Sequence, residues 1–332
     1  MSKQFHRLIL TGIGLISISL LYGWGSWGHK HINRASVFSL PADMRNFYFN
    51  HIDFITEGAV VPDLRRGVLG DRAEGARHFI DIEDFKNTTL DELPRTMKLA
   101  YAKYDSAFLM KTGILPWYIQ SLEEKLTTAF TRKNRSEILF LSAELGHYVG
   151  DAHMPLHTAS NYDGQLTNQR GVHALWESSL PEMFGNYYNF NTGEAKYIDD
   201  ITSETWRIIK QSHSLEDTLL NAEKQVRERF SPDQLYKKDA NGKNILSYNQ
   251  PVYSDEYQKT FHNGLHGMVE RQMRLSVADV GNYWYTAWVN GGKPNLNEMD
   301  DPALTQSNRK KFRKEFKAYS KGRLLNMRST GE

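Results

Sequence analysis

The chain contains no cysteine. Disulfides and thiol-linked lipid anchors are therefore excluded, and any cross-link between distant segments must come from packing or from a metal. A charge excess is also missing: 41 Lys and Arg face 39 Asp and Glu. No global basic footprint points to nucleic acid. Strand-type alternation is sparse, and neither an internal repeat nor a low-complexity segment is present. The longest apolar run, in residues 8–23, is short for a span of ~20 residues and is interrupted by Gly and Ser.

That run has another reading. Lys3, His6 and Arg7 precede LILTGIGLISISLLYG, the order of a cleaved export leader ending at Gly23. The expected layout is a signal peptide over 1–23 and one domain over 24–332, with no stable membrane span after cleavage. Removing the leader takes away Lys3 and Arg7 and leaves 39 basic against 39 acidic residues. The one local excess is the tail, where Arg309, Lys310, Lys311, Arg313, Lys314, Lys317, Lys321 and Arg323 read as a solvated terminal helix.

Helical periodicity dominates the rest. Segment 32–55 is helical and broken by Pro41. Segments 93–110, 117–131, 134–151, 203–230 and 256–289 follow, with a short helix over 172–180 that Pro181 stops. In 134–151, Ile138, Leu139, Leu141, Leu145 and Val149 share a buried stripe. The polar stretch 231–255 reads as a surface excursion. One all-α domain results.

Residues 145–180 carry His147, Asp151, His157, His173 and Glu177, a density of ligand side chains that a solvated helix has no reason to hold. His147 and Asp151 are four apart, as are His173 and Glu177. On a helix each pair shares a face and can close on one ion. A buried structural His–Asp hydrogen bond is the alternative for the first pair. Upstream stand Trp24 with His29, then Asp63 with Arg66, then His78-Phe79-Ile80-Asp81. Each is weak alone. His31, His153 and Asp163 lie near these motifs without matching ligand positions.

In order, Trp24 with His29, Asp63, His78-Phe79-x-Asp81, His147-x3-Asp151-x5-His157 and His173-x3-Glu177 resemble the zinc-dependent phospholipase C and S1/P1 nuclease superfamily. The resemblance covers most of 24–180 and continues loosely beyond. It implies an all-α fold with a cleft for three zinc ions. Asp63, His78, His147 and Asp151 would hold the first, and His157, His173 and Glu177 the second. The freed α-amino group and carbonyl of Trp24 would hold the third with His29, Asp151 bridging first and third. Leader cleavage would thus complete the third site. Metal-activated water would attack a phosphodiester, with Asp63 orienting it and Arg66 neutralising phosphoryl charge.

The substrate is divided. Glu177 in place of Asp, the short step from His157 to His173 and the absence of cysteine look phospholipase-like. The close Trp24–His29 spacing, the fifteen residues from Asp63 to His78 and Trp176 look nuclease-like. The expectation is an exported enzyme, periplasmic or secreted, that favours a phospholipid headgroup over single-stranded nucleic acid. The alternatives are an S1/P1-type single-strand nuclease or 3′-nucleotidase, and a non-catalytic zinc-stabilised export protein. Phe79 and Asp81 are pocket candidates, with core packing as the other role for Phe79. Asp81 could instead orient a ligating imidazole. Tyr148 and Tyr162 are further pocket candidates, core being the default for Tyr148.

Overall fold

A helix turns its apolar face inward or stays exposed, and here the most apolar helices sit innermost. The structure is a computed structural model describing residues 25–86, 88–247 and 250–327. The leader and Trp24 lie outside them. Helices α1 (Gly25–Ser39), α2 (Ala42–Asn50), α3 (Ile52–Gly58), α4 (Val61–Gly67) and α5 (Arg72–Gly75) open the chain. Next come α6 (Met97–Lys103), α7 (Ser106–Thr112), α8 (Leu115–Thr131) and α9 (Arg135–Ala152). The second half holds α10 (Val172–Ala174), α11 (Leu180–Phe184), α12 (Ile201–His213), α13 (Glu216–Arg227), α14 (Asp255–Gly264), α15 (Met268–Asn290) and α16 (Pro302–Tyr319). The fold is all-α, as expected. The excursion 231–255 contains the two-stranded ribbon of Leu246–Ser247 and Gln250–Pro251.

Helix α9 is the axis. Asn134 caps it by accepting from the Glu137 N–H, and α1, α3, α8 and α15 pack around it. The predicted stripe is buried apart from the partly covered Leu141, but from Ser142 to Ala152 the helix is buried all round. Buried aromatics satisfy their polar ends on it: Trp284 Nε1 donates to the Ser142 carbonyl at 2.9 Å, and Tyr48 bonds Ser142 Oγ at 2.9 Å. Helix α1 approaches closely because position 146 is glycine. A Cβ there would stand 2.1 Å from Asn33 Oδ1. Asn33 in turn donates from Nδ2 to the carbonyls of Ile55 and Ala143. This three-way tie brings α1, α3 and α9 together one residue before His147.

Several expected long helices are pairs. Segment 93–110 divides at Tyr104, where Asp105 caps α7. Segment 203–230 divides between His213 and Glu216. Segment 256–289 divides at His266 and Gly267, with φ of 48° and 76°, left-handed backbone that no helix continues through. Pro181 does not stop its helix. The chain runs from Val172 through a π-helical turn at Leu175–Ser179 into α11, with Pro181 in the first turn, where its missing N–H removes little.

Candidate metal centre

Each side chain of the candidate centre comes from an element with its own reason to be there. His29 lies on α1 and Asp63 in the first turn of α4, after Pro62. His78 follows α5, and His147 and Asp151 share the inner face of α9. Pro155 starts the short 3-10 turn that presents His157. His173 is in α10, one turn before Glu177 in the π-helical stretch. All eight side chains are buried.

They converge into three groups whose donor atoms all lie within 4.8 Å of one another: Asp63–His78–His147, His29–His147–Asp151 and His157–His173–Glu177. Asp151 joins them through separate oxygens. Its Oδ2 faces His78 Nδ1 at 3.1 Å and His147 Nε2 at 3.2 Å. Its Oδ1 faces His29 Nε2 and His157 Nδ1, each at 3.4 Å. His157 Nε2 turns to the other group, 3.2 Å from His173 Nε2 and 3.5 Å from Glu177 Oε2. His173 Nε2 lies 3.2 Å from Glu177 Oε1.

Surrounding groups set the tautomers. His147 Nδ1 donates to the Ala59 carbonyl at 2.7 Å, and His173 Nδ1 to the Tyr162 carbonyl at 2.8 Å. A carbonyl only accepts, so these nitrogens carry protons and each Nε2 is turned inward. Asp163 Oδ1 accepts from the Gly171 and His173 N–H groups and fixes that turn. Behind His78, Glu74 Oε1 stands 3.5 Å from Nε2. Tyr148 donates to the same carboxylate, as do Arg65 at 2.9 Å and Arg77 at 2.7 Å. Burial would raise the Glu74 pKa, but His78, Tyr148 and Arg65 outweigh it and hold the group ionised.

The donor set fits metal cations. Both His29 nitrogens, both Asp63 oxygens, Asp151 Oδ1, His157 Nδ1 and Glu177 Oε2 are buried without a hydrogen-bond partner among the described residues. A buried polar atom without a partner costs ~1–3 kcal/mol, so concentrating them at one point needs something to satisfy them. Titration has the same sense. Burial opposes a proton on His147, yet Asp151 and Asp63 outweigh it and raise its pKa to about 9. Burial, then His147, pushes His29 down. Burial alone would raise Asp151, but His147 and His157 hold it well below the carboxylate range. Glu177 is lowered against burial by His173 and His157.

The other candidates sit nearby or apart. Phe79, Asp81 and Arg66 are half-buried. Asp81 makes no side-chain hydrogen bond among the described residues, and Glu74, which the sequence did not single out, stands behind His78 instead. Tyr148 is core, while Tyr162 is 38% exposed beside His173. His31 stacks on Trp27 and bonds its carbonyl, and His153 pairs with Asp279 at 3.0 Å; neither joins a ligand group.

A helical body with buried, interlocked imidazole and carboxylate groups is the arrangement expected of the S1/P1 nuclease superfamily, and that resemblance holds. No family model matches the chain. Nuclease S1 of Aspergillus oryzae (strain ATCC 42149 / RIB 40) is 22% identical over 210 residues, 59% of this chain and 67% of that protein. This relationship supports a phosphoric ester hydrolase. It lends nothing to the phospholipase branch, so the preference for a lipid headgroup is unsupported and the nuclease alternative fits better. No helix among the described residues is long and apolar enough to cross a membrane.

Replacing Glu74 by Gln keeps the shape and removes the charge behind His78. Retention of a bound metal against a competing chelator is expected to weaken ~10–100-fold, with the helical circular dichroism unchanged. Wild-type retention would remove Glu74 from the centre.

Proposed function

We propose that the chain is an exported zinc-dependent phosphodiesterase acting on single-stranded nucleic acid or on 3′-nucleotides. The carrying observation is the junction at Asp151, whose two oxygens face different groups of ligands. Asp63, His78, His147 and Asp151 would hold one zinc, and His157, His173 and Glu177 a second. His29, Asp151 and the terminus of a leader-cleaved Trp24 would hold a third. Imidazole with carboxylate suits zinc. Ions held there would polarise the phosphodiester, acidify a water and steady the leaving oxygen.

The chain's own groups supply the rest. Asp63 has both oxygens without hydrogen bonds among the described residues, so one can ligate while the other orients or deprotonates a water. Arg65 is engaged by Glu74 and Glu144, whereas Arg66 makes no ion pair among the described residues and is available to a phosphoryl oxygen. Phe79 offers a ring to stack on a base. Asp81 has a pKa raised to about 7, first by burial and then by Asp84 and Glu83. Near neutrality it can donate or accept at a base edge.

The test is a substrate panel on the zinc-supplied, leader-cleaved protein. Release of nucleotides from single-stranded DNA or RNA is expected, with no diacylglycerol from phosphatidylcholine vesicles. Phe79→Ala is expected to raise KM ~10-fold with little change in kcat, in line with ~1–3 kcal/mol per stacked base. Hydrolysis of phosphatidylcholine alone would restore the phospholipase reading. Bound zinc with neither activity would favour a structural role.

A further inference from the structure

A second kind of ligand cluster lies at the surface, on residues that the buried centre does not use. Glu83, in the short 3-10 turn Ile82–Asp84, meets His213 at the end of α12 and Glu216 at the start of α13. Each offers a donor atom, and the three atoms lie within 4.8 Å of one another. Glu83 Oε1 stands 3.7 Å from His213 Nε2.

The imidazole orientation is informative. Thr158 Oγ1 donates its hydrogen to the Pro155 carbonyl at 2.6 Å. Toward His213 Nδ1, 3.4 Å away, it can therefore only accept. A proton on Nδ1 would meet that oxygen, and Nε2 turns to a carboxylate oxygen. Two lone pairs that face each other repel unless a proton or a cation lies between them. The two carboxylates have the same conflict, since a donor oxygen of each is gathered within 4.8 Å of the other.

We infer that Glu83, His213 and Glu216 form an additional divalent-cation site of the zinc class at the rim of the buried centre. One imidazole nitrogen and two carboxylates are a zinc-type donor set with a position left for water. Calcium takes six to eight oxygen ligands, which this trio does not provide. The location gives the ion a task. Glu83 Oε2 also accepts from the N–H of Ser160 at 2.8 Å and from its hydroxyl at 3.1 Å. Ser160 lies three residues after His157 and two before Tyr162. An ion on Glu83 therefore ties α12 and α13 to the loop that follows a ligand of the buried centre. It also offsets an acidic rim of Asp81, Glu83, Asp84 and Glu216 that would repel a phosphate polyanion.

The test counts zinc per folded chain at stepped free zinc, in wild type, Glu216→Gln and His213→Gln. Both variants are expected to bind one equivalent fewer than wild type at high free zinc, while the tightly held ions and the folded circular dichroism stay unchanged. Equal counts in all three proteins overturn the inference. Glu216→Lys, which puts an ammonium where the ion would sit, is a second check and is expected to lack the same equivalent. Should tight zinc be absent from all the proteins while an equivalent lost in Glu216→Gln remains, the buried-centre reading fails and the rim site stands.

Discussion

Asp151→Asn is expected to nearly abolish phosphodiester hydrolysis and to remove more than one bound metal. The side chain keeps its volume, so the change isolates the charge. Asp151 faces four imidazoles, His29, His78, His147 and His157, at 3.1 to 3.4 Å. An amide presents one acceptor where the carboxylate presents two, and its NH₂ would point a donor at imidazole nitrogens that need to face a cation. Loss of a partner behind a metal ligand typically costs ~10–100-fold. Loss of the shared ligand is expected to exceed that range in kcat. Zinc counting on the same sample decides the cause: full zinc content with near-normal turnover would refute the assignment of Asp151.

Zinc is expected to raise the melting temperature by an amount that grows with pH. An ion at ~1,000 times its Kd stabilises by ~4 kcal/mol, on the order of 10 °C for a chain of this size. The sign follows from the groups involved. In the metal-stripped chain His147 has a pKa of about 9 against 6.5 unfolded. Its contribution is complete below 6.5 and lost as pH rises through 9. His173, raised against burial by Glu177, acts in the same direction. Asp151 and Glu177 are lowered, so their contributions hold above the carboxylate range and vanish as pH falls below it. His29, lowered by burial, opposes the other two imidazoles below 6.5. Above 6.5 the His29 opposition is gone, so the stripped chain should weaken between about pH 6.5 and pH 9. Zinc binding requires deprotonated ligands and strengthens over that interval. The gap between the two melting curves should widen, and a constant or narrowing gap would contradict the ligand set.

The parts of the centre legible in sequence are those fixed by local spacing. His147 with Asp151, and His173 with Glu177, are one helical turn apart wherever the helix lies, and both pairs meet. His29 has no such local signal. Its rings stack on His147 at 3.9 Å because Gly146 lets α1 close on α9, a contact between residues far apart in sequence; only the ordered family pattern pointed to it. Glu74 was missed for a different reason: it stands four residues before His78, the same spacing as the other pairs, but the family pattern has no acid there and it is one of 39. The fold class was legible from periodicity, but the breaks were not. His266 and Gly267 interrupt an apolar pattern that continues on both sides, and the π-helical turn carries the chain past Pro181.

The basic C-terminal helix does not hang free of the body. Its one acid, Glu315, turns inward against Arg34 of α1 at 2.7 Å, and both side chains are about 1% exposed. Arg34 also donates to the Leu325 carbonyl, and Asn326 to Glu315. Cutting away α16 would leave the buried Arg34 guanidinium with Asp53 as its remaining acid, at 3.3 Å, and removing one partner of a buried ion pair typically costs ~3–5 kcal/mol. Arg34 sits five residues beyond His29 on the same helix. A shortened chain would thus report on the seating of His29 even when it was made to ask about the lysines. Charge reversal at Lys310, Lys314 and Lys317, which point outward, would address the helix surface and leave the anchor in place.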